Sequence, residues 1–358
     1  MDSKSPFIFL TFFFVGSLVA LALHIYFFSP ISPQILHVPP SSLVKSFDTH
    51  LQEVTKLGEG LVKDPEDVCV DKHGILYTAS RDGWIKRLHK NGSLEDWKWV
   101  NSSSLLGMTS IASGGLVICD TEEGLLKVDE DGITTLLSQF NGSKLWFADD
   151  VTEGKDGSLY FSIASTKFGL HNWYLDLLEA KPHGQLLKYN PQTNETTLLL
   201  DNLFFANGVA LSADERYLLV CETFKFRCLK YWLQGELKGK TEVFIEDLPG
   251  GPDNINLAPD GSFWIALLQL TCKGMEFVHT SKIAKHLLAT FPRMMNIVQG
   301  QHQRATVIKV SEDGKVLKRF DDPEGKVISF VTSAVEYDGN LYLGSLHANF
   351  VGKLPIDH

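Results

Sequence analysis

The sequence predicts an all-β fold, a six-bladed β-propeller with four-stranded blades, preceded by one N-terminal transmembrane helix. Three observations support this prediction. A strand–turn–strand unit recurs six times, the first 28 residues hold a long apolar run, and the 358 residues have an ordinary globular composition of 44% hydrophobic and 21% charged residues. The chain accordingly divides into a signal-anchor or transmembrane segment over 1–28, a Pro-rich stem over 29–50 and a propeller over 51–358.

The repeat unit is a polar or glycine turn, a short apolar strand, a second turn and a strand that usually carries Lys or Arg. The first strands begin at Ile75, Leu116, Leu159, Tyr217, Phe263 and Leu341, and their partners are Trp84–Leu88, Leu125–Val128, Gln185–Tyr189, Cys228–Trp232, Ala305–Val310 and Phe350–Leu354. Most repeats are spaced by roughly 40 to 60 residues, the period of propeller blades. A β-sandwich or a solenoid is the alternative, and the regular order of the hairpins disfavours it.

The apolar run from Pro6 to Phe28 contains no Asp, Glu, Lys or Arg. It is long enough to cross a bilayer, which takes about 20 apolar residues in a helix. The alternative is a cleaved signal peptide, but Tyr26–Pro30 lacks the small residues of a cleavage site. Both interpretations place the body in the lumen of the secretory pathway, attached to the endoplasmic reticulum membrane or in the vacuole.

Four Asn-x-Ser/Thr sequons support the luminal side. They begin at Asn91, Asn101, Asn141 and Asn194, and none has Pro in the middle position. The net charge of −10, without a basic stripe, argues against a nucleic acid partner. We therefore expect a small molecule in the central channel and a membrane at the anchor as the partners.

The five cysteines show no spacing typical of a metal site. Cys221 and Cys228 flank a short turn and could face each other across a hairpin, although buried free thiols are the commoner outcome.

Two stretches interrupt the repeat, Ser165 to His183 in the third blade and Gln269 to Arg304 in the fifth. Long loops of this kind usually carry function. The apolar spacing over Ser281 to Ile297 predicts an amphipathic helix interrupted near Pro292. Such a helix could pack on the body, form a lid over the propeller or face the membrane.

When the six repeats are aligned, polar residues recur at one register. The aligned positions are Glu66, Gly107, Asp149, Asn207, Asp253 and Val331, and the residues after them are Asp67, Met108, Asp150, Gly208, Asn254 and Thr332. In a propeller this register belongs to the innermost strands around the channel. Several carboxylates brought together there need a cation to balance them. Oxygen ligands without Cys or His favour Ca²⁺, whereas solvated turn residues are the alternative.

Over about four-fifths of its length, the chain resembles the strictosidine-synthase-like family of plants, within the wider paraoxonase and gluconolactonase type of propeller. The most specific stretches are Pro65–Asp67, Gly184–Pro191, Ala206–Ser212, Lys230–Gly235 and Leu248–Ile255. The resemblance implies a calcium site at Glu66, Asn207, Asp253 and Asn254, with Asp149 where paraoxonases have Asn. It also implies that a second, structural calcium would use Asp67 and Asp150.

Two departures from the family patterns bear on activity. Thr332 stands where strictosidine synthase has its catalytic Glu, and Thr cannot act as that acid or base. Leu106 stands where paraoxonases have their catalytic His. His183 and His347 are possible substitutes, or one of the acidic ligands could be the base, so the catalytic residues stay unassigned.

The sequence contains no Gly-x-Ser-x-Gly elbow and no phosphate loop. We therefore expect a luminal Ca²⁺-dependent hydrolase of esters or lactones, similar to an arylesterase. A non-catalytic calcium-stabilised binding propeller is the second hypothesis. A strictosidine synthase, which condenses an amine with an aldehyde, is the weakest because of Thr332.

Overall fold

The computed structural model describes residues 5–39, 48–270, 273–295 and 304–356. It contains six four-stranded antiparallel sheets, and the first strand of each sheet contacts the first strand of the next around a central axis. This arrangement confirms the six-bladed propeller. A two-stranded hairpin, β10 (Gln139–Phe140) and β11 (Ser143–Lys144), lies between the second and third blades.

The blades follow one another along the chain, and each begins with its innermost strand. The first two blades are β2 (Val68–Val70), β3 (Leu76–Ala79), β4 (Trp84–Leu88) and β5 (Leu94–Trp99), and then β6 (Leu105–Ser110), β7 (Leu116–Asp120), β8 (Gly124–Asp129) and β9 (Gly132–Leu137). The third and fourth blades are β12 (Ala148–Glu153), β13 (Leu159–Ile163), β14 (Gly184–Asn190) and β15 (Glu195–Leu203), and then β16 (Ala206–Leu211), β17 (Tyr217–Glu222), β18 (Arg227–Trp232) and β19 (Thr241–Ile245). The fifth blade is β20 (Gly251–Leu257), β21 (Phe263–Leu268), β22 (Ala305–Val310) and β23 (Val316–Asp322).

The sixth blade joins the two ends of the propeller. Its strands β24 (Val331–Tyr337), β25 (Asn340–Ser345) and β26 (Val351–Pro355) come from the C-terminal part of the chain, and β1 (Thr55–Leu57) is the outermost strand. β1 pairs with β26 in antiparallel register, from Thr55 opposite Lys353 to Leu57 opposite Val351. Because this pairing closes the ring, no blade is left with an open gap to its neighbour.

The burial pattern of the strands explains why the repeat is visible in the sequence. The second strands β7, β13 and β17 are buried at every position, because each blade packs its two faces against its neighbours. The outermost strands β5, β9 and β15 have mostly exposed or half-buried residues. The six hairpins predicted from the sequence are the second and third strands of the six blades.

One of these hairpins carries a disulfide bond. Cys221 in β17 and Cys228 in β18 lie directly opposite each other and are bonded. The expectation that buried free thiols are the commoner outcome is therefore wrong for this pair. Cys69 and Cys119 are buried free thiols, whereas Cys272 lies outside the described residues.

Both interruptions of the repeat contain helices. The third-blade insert holds a 3₁₀ turn (Leu170–Asn172) and α2 (Trp173–Glu179), and the fifth-blade insert holds α3 (Lys273–Thr280), α4 (Lys282–Thr290) and a 3₁₀ turn (Pro292–Met294). α4 ends before Pro292, as the sequence predicts, while Ile297 lies outside the described residues. Both inserts connect a second strand to a third, at the end of the ring where the innermost strands begin. We call this end the insert face.

The N-terminal segment forms α1 (Ser5–Phe28), and Phe9–Phe28 is long and apolar enough to be a candidate membrane span. The stem after it has no helix or strand over 29–39, but it lies against the inserts. Ile31 and Leu36 are buried, and the Leu36 amide donates to the His279 carbonyl at 3.0 Å. This part of the stem is thus held by α2 and α3.

Candidate functional site

The innermost strands are irregular at the positions that the sequence alignment singles out. β12 has a β-bulge between Ala148 and Val151, β16 between Ala206 and Val209, and β20 between Pro252 and Ile255. β6 and β24 have equivalent irregularities, and β2 begins only after Glu66 and Asp67. A bulge breaks the strict alternation of side chains, so two consecutive residues can both point away from the neighbouring strand.

The bulges place an oxygen-rich set of side chains at the inner end of a cavity on the insert face. The cavity has a volume of about 340 Å³, and its lining includes Glu66, Asp149, Asn207 and Asp253. Asn254 lies beside this set, because its Nδ2 donates to Glu66 Oε1 at 2.9 Å. The structure therefore brings together five of the seven predicted metal ligands, which we call the acidic set.

Three oxygen atoms of the acidic set are buried without a hydrogen-bond partner among the described residues. They are Glu66 Oε2, Asn207 Oδ1 and Asn254 Oδ1. Asn207 Nδ2 donates to Asp253 Oδ1, as Asn254 Nδ2 does to Glu66 Oε1. The side-chain nitrogen of each amide therefore binds a carboxylate, while its side-chain oxygen is left for another partner. Buried polar atoms are normally paired. Carboxylate and amide oxygens are also the ligands that Ca²⁺ takes in proteins, so the donor set fits this cation.

The carboxylates of the acidic set raise one another's pKa. Burial, and then the charges of Asp253 and Asp67, raises the pKa of Glu66 well above its usual value. Burial and the charge of Glu66 raise the pKa of Asp149, and burial and the charge of Asp149 raise that of Asp253. Arg81 is the nearby cation that counteracts the shifts at Glu66 and Asp149. The site is thus electrostatically costly, and a divalent cation would relieve that cost.

In the described ranges, no group of three or more His, Cys, Asp or Glu side chains is already arranged to hold a metal ion. The three carboxylates of the acidic set, Glu66, Asp149 and Asp253, therefore line one cavity without being arranged as such a group. Two amide–carboxylate hydrogen bonds now hold it together.

The other two predicted ligands, Asp67 and Asp150, have a different environment. Asp67 accepts hydrogen bonds from the Val68 and Met108 amides, at 2.7 and 2.8 Å, and from the Ser333 hydroxyl. Asp150 accepts from the Val151 amide and, at 2.7 Å, from the Val209 amide.

The bonds from the Val68 and Val151 amides are local, whereas those from Met108, Ser333 and Val209 cross from one blade to another. Asp67 precedes β2 and binds the backbone of β6, and Asp150 of β12 binds the backbone of β16. The two residues therefore act as inter-blade ties. Burial raises the pKa of Asp67 to about 6, even though its hydrogen bonds oppose that shift.

The cavity above the acidic set is lined mainly by apolar side chains. Those from the blades include Leu106, Phe147, Phe205, Phe224, Leu268 and Phe330, and the third-blade insert adds Leu170 and Trp173. Phe205 stacks on Phe224 with ring centroids 4.4 Å apart. The cavity thus combines apolar walls with a polar inner end, the usual composition of a small-molecule site.

The two departures from the family patterns have clear positions. Thr332 is fully buried, and its hydroxyl donates to the Glu66 carbonyl, so it supports the backbone of the acidic set. Leu106 is an apolar residue of the cavity wall.

The two histidines considered as substitutes differ in position. His347 lines the cavity and stacks on Phe330 at 4.6 Å between ring centroids. His183 instead contacts buried Glu179 at 2.8 Å, within a cluster that also contains Lys167.

Sequence reasoning missed the contributions of Arg81, Leu170 and Trp173. The apolar spacing around Trp173 is a weak signal for α2, but it does not indicate which surface the helix covers. Arg81 follows β3 in a polar turn, and nothing in its neighbourhood distinguishes it from a solvated residue.

Comparison with solved structures supports the fold class, a β-propeller. A gluconolactonase from Xanthomonas campestris aligns with a TM-score of 0.60 and 16% identity, over 92% of this chain and 99% of that one. Regucalcin from Agrobacterium tumefaciens, a calcium-binding protein, aligns with a TM-score of 0.55 and 14% identity, over 84% of this chain and 93% of that one.

Sequence comparison identifies the family. The strictosidine synthase family model matches residues 149–236, and the strictosidine synthase-like N-terminal model matches 48–88. Protein Strictosidine Synthase-Like 4 of Arabidopsis thaliana is 33% identical over 86% of this chain and 84% of its own. The adipocyte plasma membrane-associated protein of Bos taurus is 31% identical over 97% and 89%. The chain belongs to the strictosidine synthase-like family.

Proposed function

We propose that this protein is a Ca²⁺-dependent hydrolase of apolar esters or lactones, held at the luminal face of an endoplasmic reticulum or vacuolar membrane. The observation that carries the proposal is the acidic set at the inner end of an apolar cavity, with three buried oxygens that have no partner among the described residues. The gluconolactonase and calcium-binding names of the structural neighbours agree with it.

Glu66, Asp149, Asn207, Asp253 and Asn254 would hold the cation. When bound, Ca²⁺ supplies a Lewis acid that polarises a carbonyl and stabilises the oxyanion formed by water attack. The apolar walls bind the organic part of the substrate and limit the access of bulk water.

The hydrolysis needs a group that takes a proton from the attacking water. Water oxygen bonds to the carbonyl carbon, the bond from that carbon to the leaving alcohol oxygen breaks, and the alcohol oxygen receives the proton. Asp149 lines the cavity beside the other members of the acidic set and is the first candidate for this group. His347 is the second candidate on the cavity wall.

The test is a turnover screen of the purified full-length protein with aryl esters, with lactones and with tryptamine plus secologanin, in calcium and in chelator. We expect hydrolysis of an ester or lactone that is lost in chelator. We also expect Asp149→Asn to abolish turnover and His347→Asn to reduce it by less than tenfold. Condensation of tryptamine with secologanin would overturn the proposal in favour of a strictosidine synthase.

A non-catalytic binding propeller is the second candidate. The inter-blade ties at Asp67 and Asp150 favour it, because these two buried carboxylates stabilise the scaffold and take no part in a reaction. Calcium-dependent stability without turnover of any ester or lactone would support it. Both candidates predict a small-molecule ligand in the cavity.

The luminal location is supported by the chemistry of the surface. All four sequon asparagines, Asn91, Asn101, Asn141 and Asn194, are exposed, and the Cys221–Cys228 disulfide suits an oxidising compartment. We expect a stepwise loss of mass as each asparagine is changed to Gln in protein made in the secretory pathway. Absence of glycan at all four sites would contradict the luminal orientation. A mature N-terminus near Ser29 would show that the anchor is cleaved.

A further inference from the structure

The fifth-blade insert leaves large apolar side chains exposed to solvent. Phe277 of α3 is 67% exposed, Ile283 of α4 is 73% exposed and Met294 after α4 is 41% exposed. The opposite side of the same helices is buried, with Leu288 and His279 inside. Exposed Lys282 and Arg293 lie beside these apolar residues. This mixture of apolar and basic side chains is typical of helices that lie in the membrane interface.

The candidate membrane span contacts this insert directly. His24, in the last turns of α1, stacks on Phe291 with ring centroids 5.7 Å apart. The Ser29 hydroxyl and His286 Nδ1 are 2.7 Å apart, just beyond the end of α1. At 1.5 Å per residue, His24 lies about 6 Å before the end of the helix. Because a 20-residue span matches the hydrocarbon thickness, His24 of such a span and the Phe291 ring stacked on it lie just inside the hydrocarbon boundary.

The stem fixes this arrangement by hydrogen bonds to all three insert helices. The Gln34 amide donates to the Glu179 carbonyl of α2 at 2.9 Å, and the Leu36 amide donates to the His279 carbonyl of α3 at 3.0 Å. Lys285 Nζ of α4, which is fully buried, donates to the Gln34 carbonyl at 2.6 Å. The span and the inserts are therefore positioned together.

We propose that the fifth-blade insert is a membrane-contact surface, with Phe277 and Ile283 buried among the lipids and Lys282 and Arg293 at the headgroups. The surface rests on α1 as a membrane span and needs no enzymatic activity. The insert face carries both the mouth of the cavity and this surface. The cavity therefore opens on the membrane side of the ring, where apolar molecules partition.

The test uses the full-length chain in vesicles of phosphatidylcholine with a minor fraction of phosphatidylserine. A photo-crosslinking amino acid replaces Phe277 or Ile283 in separate variants. Val316 is the matched control, since it is 54% exposed and begins β23 on the opposite end of the ring. Phe14 in α1 is the positive control for membrane insertion.

We expect phospholipid adducts at 277 and 283 with at least tenfold the yield at 316, and an adduct at 14. Equal yields at 277, 283 and 316, together with an adduct at 14, would overturn the proposal. An adduct between two copies of the chain at 277 or 283 would overturn it in favour of a dimer surface. An unchanged thermal unfolding profile for each variant verifies that the exposed positions tolerate the replacement.

Discussion

The calcium dependence of stability separates the acidic set from the inter-blade ties. We compare Glu66→Gln with Asp67→Asn, two adjacent carboxylates that differ in their contacts. Glu66 has one oxygen bonded to Asn254 and one without a partner among the described residues, whereas Asp67 accepts from two backbone amides and a hydroxyl. Each substitution removes one buried negative charge and keeps the side-chain size.

The expected magnitudes follow from mass action. Free Ca²⁺ at about 1,000 times its Kd stabilises the wild type by about 4 kcal/mol. If the loss of one charged ligand raises the Kd about 100-fold, the same calcium concentration stabilises Glu66→Gln by only about 1.4 kcal/mol. In chelator, Glu66→Gln is expected to be at least as stable as the wild type, because a buried unpaired charge is replaced by a neutral amide.

Asp67→Asn is expected to lower the stability itself and to keep the stabilisation by calcium. Loss of a charge-assisted acceptor between blades lowers stability by about 1–3 kcal/mol, in calcium and in chelator alike. The calcium increment itself stays near that of the wild type.

The assay is chemical unfolding followed by tryptophan fluorescence, with each protein measured in saturating calcium and in chelator. A wild-type curve that is the same in both conditions would refute the acidic set as a calcium site. Equal loss of the calcium increment in both variants would refute the division of roles, and would favour a second ion at Asp67 and Asp150.

Three further predictions concern the packing of the body. Gly208→Ala places a Cβ 2.5 Å from the Asp253 carbonyl oxygen and the Ile255 amide, so we expect a loss of about 1–3 kcal/mol, whereas Gly169→Ala meets no atom within 4 Å and should be neutral in the same unfolding assay. Burial, and then the charge of Lys285, lowers the pKa of His279 to about 4, so its contribution to stability is full above pH 6.5 and falls as the pH drops toward 4. His279→Leu should therefore reduce the loss of stability between pH 7 and pH 5 by about 2 kcal/mol, and an unchanged loss would contradict the burial of this ring. Reduction of the Cys221–Cys228 disulfide should lower stability by about 2–3 kcal/mol, while a Cys221→Ala/Cys228→Ala double variant should be insensitive to reductant.

The sequence predicts the blades well because each hairpin is a local unit whose strands pack on both faces. The strands at Leu116–Asp120 and Tyr217–Glu222 are apolar enough to be recognised without any knowledge of their neighbours. The register of Glu66, Asp149, Asn207 and Asp253 is predictable for the same reason, since the repeat places equivalent residues at equivalent heights.

The roles of Asp67 and Asp150 could not be predicted in this way. Their partners are backbone amides of the next blade, at Met108 and Val209, and a sequence gives no direct sign of a backbone donor. The need for glycine at Gly107 is likewise set by a residue of another blade. A Cβ at this position would lie 2.4 Å from Asp150 Oδ1, so glycine is needed there by a neighbour 43 residues away. The aligned residues Glu66, Asp149, Asn207 and Asp253 thus meet at one cavity, whereas Asp67 and Asp150 also bond to the backbone of the next blade.

The pairing of β1 with β26 has a consequence for how the protein is made. β1 leaves the ribosome soon after α1 and the stem, but its partner strand is synthesised almost 300 residues later. The earlier blades can form in sequence, whereas β1 finds its partner only after β26 has been synthesised. Until then β1 is an unpaired strand, which is the kind of segment that aggregates or recruits chaperones. We expect truncation before Val351 to leave a ring that cannot close, because β1 then has no partner strand.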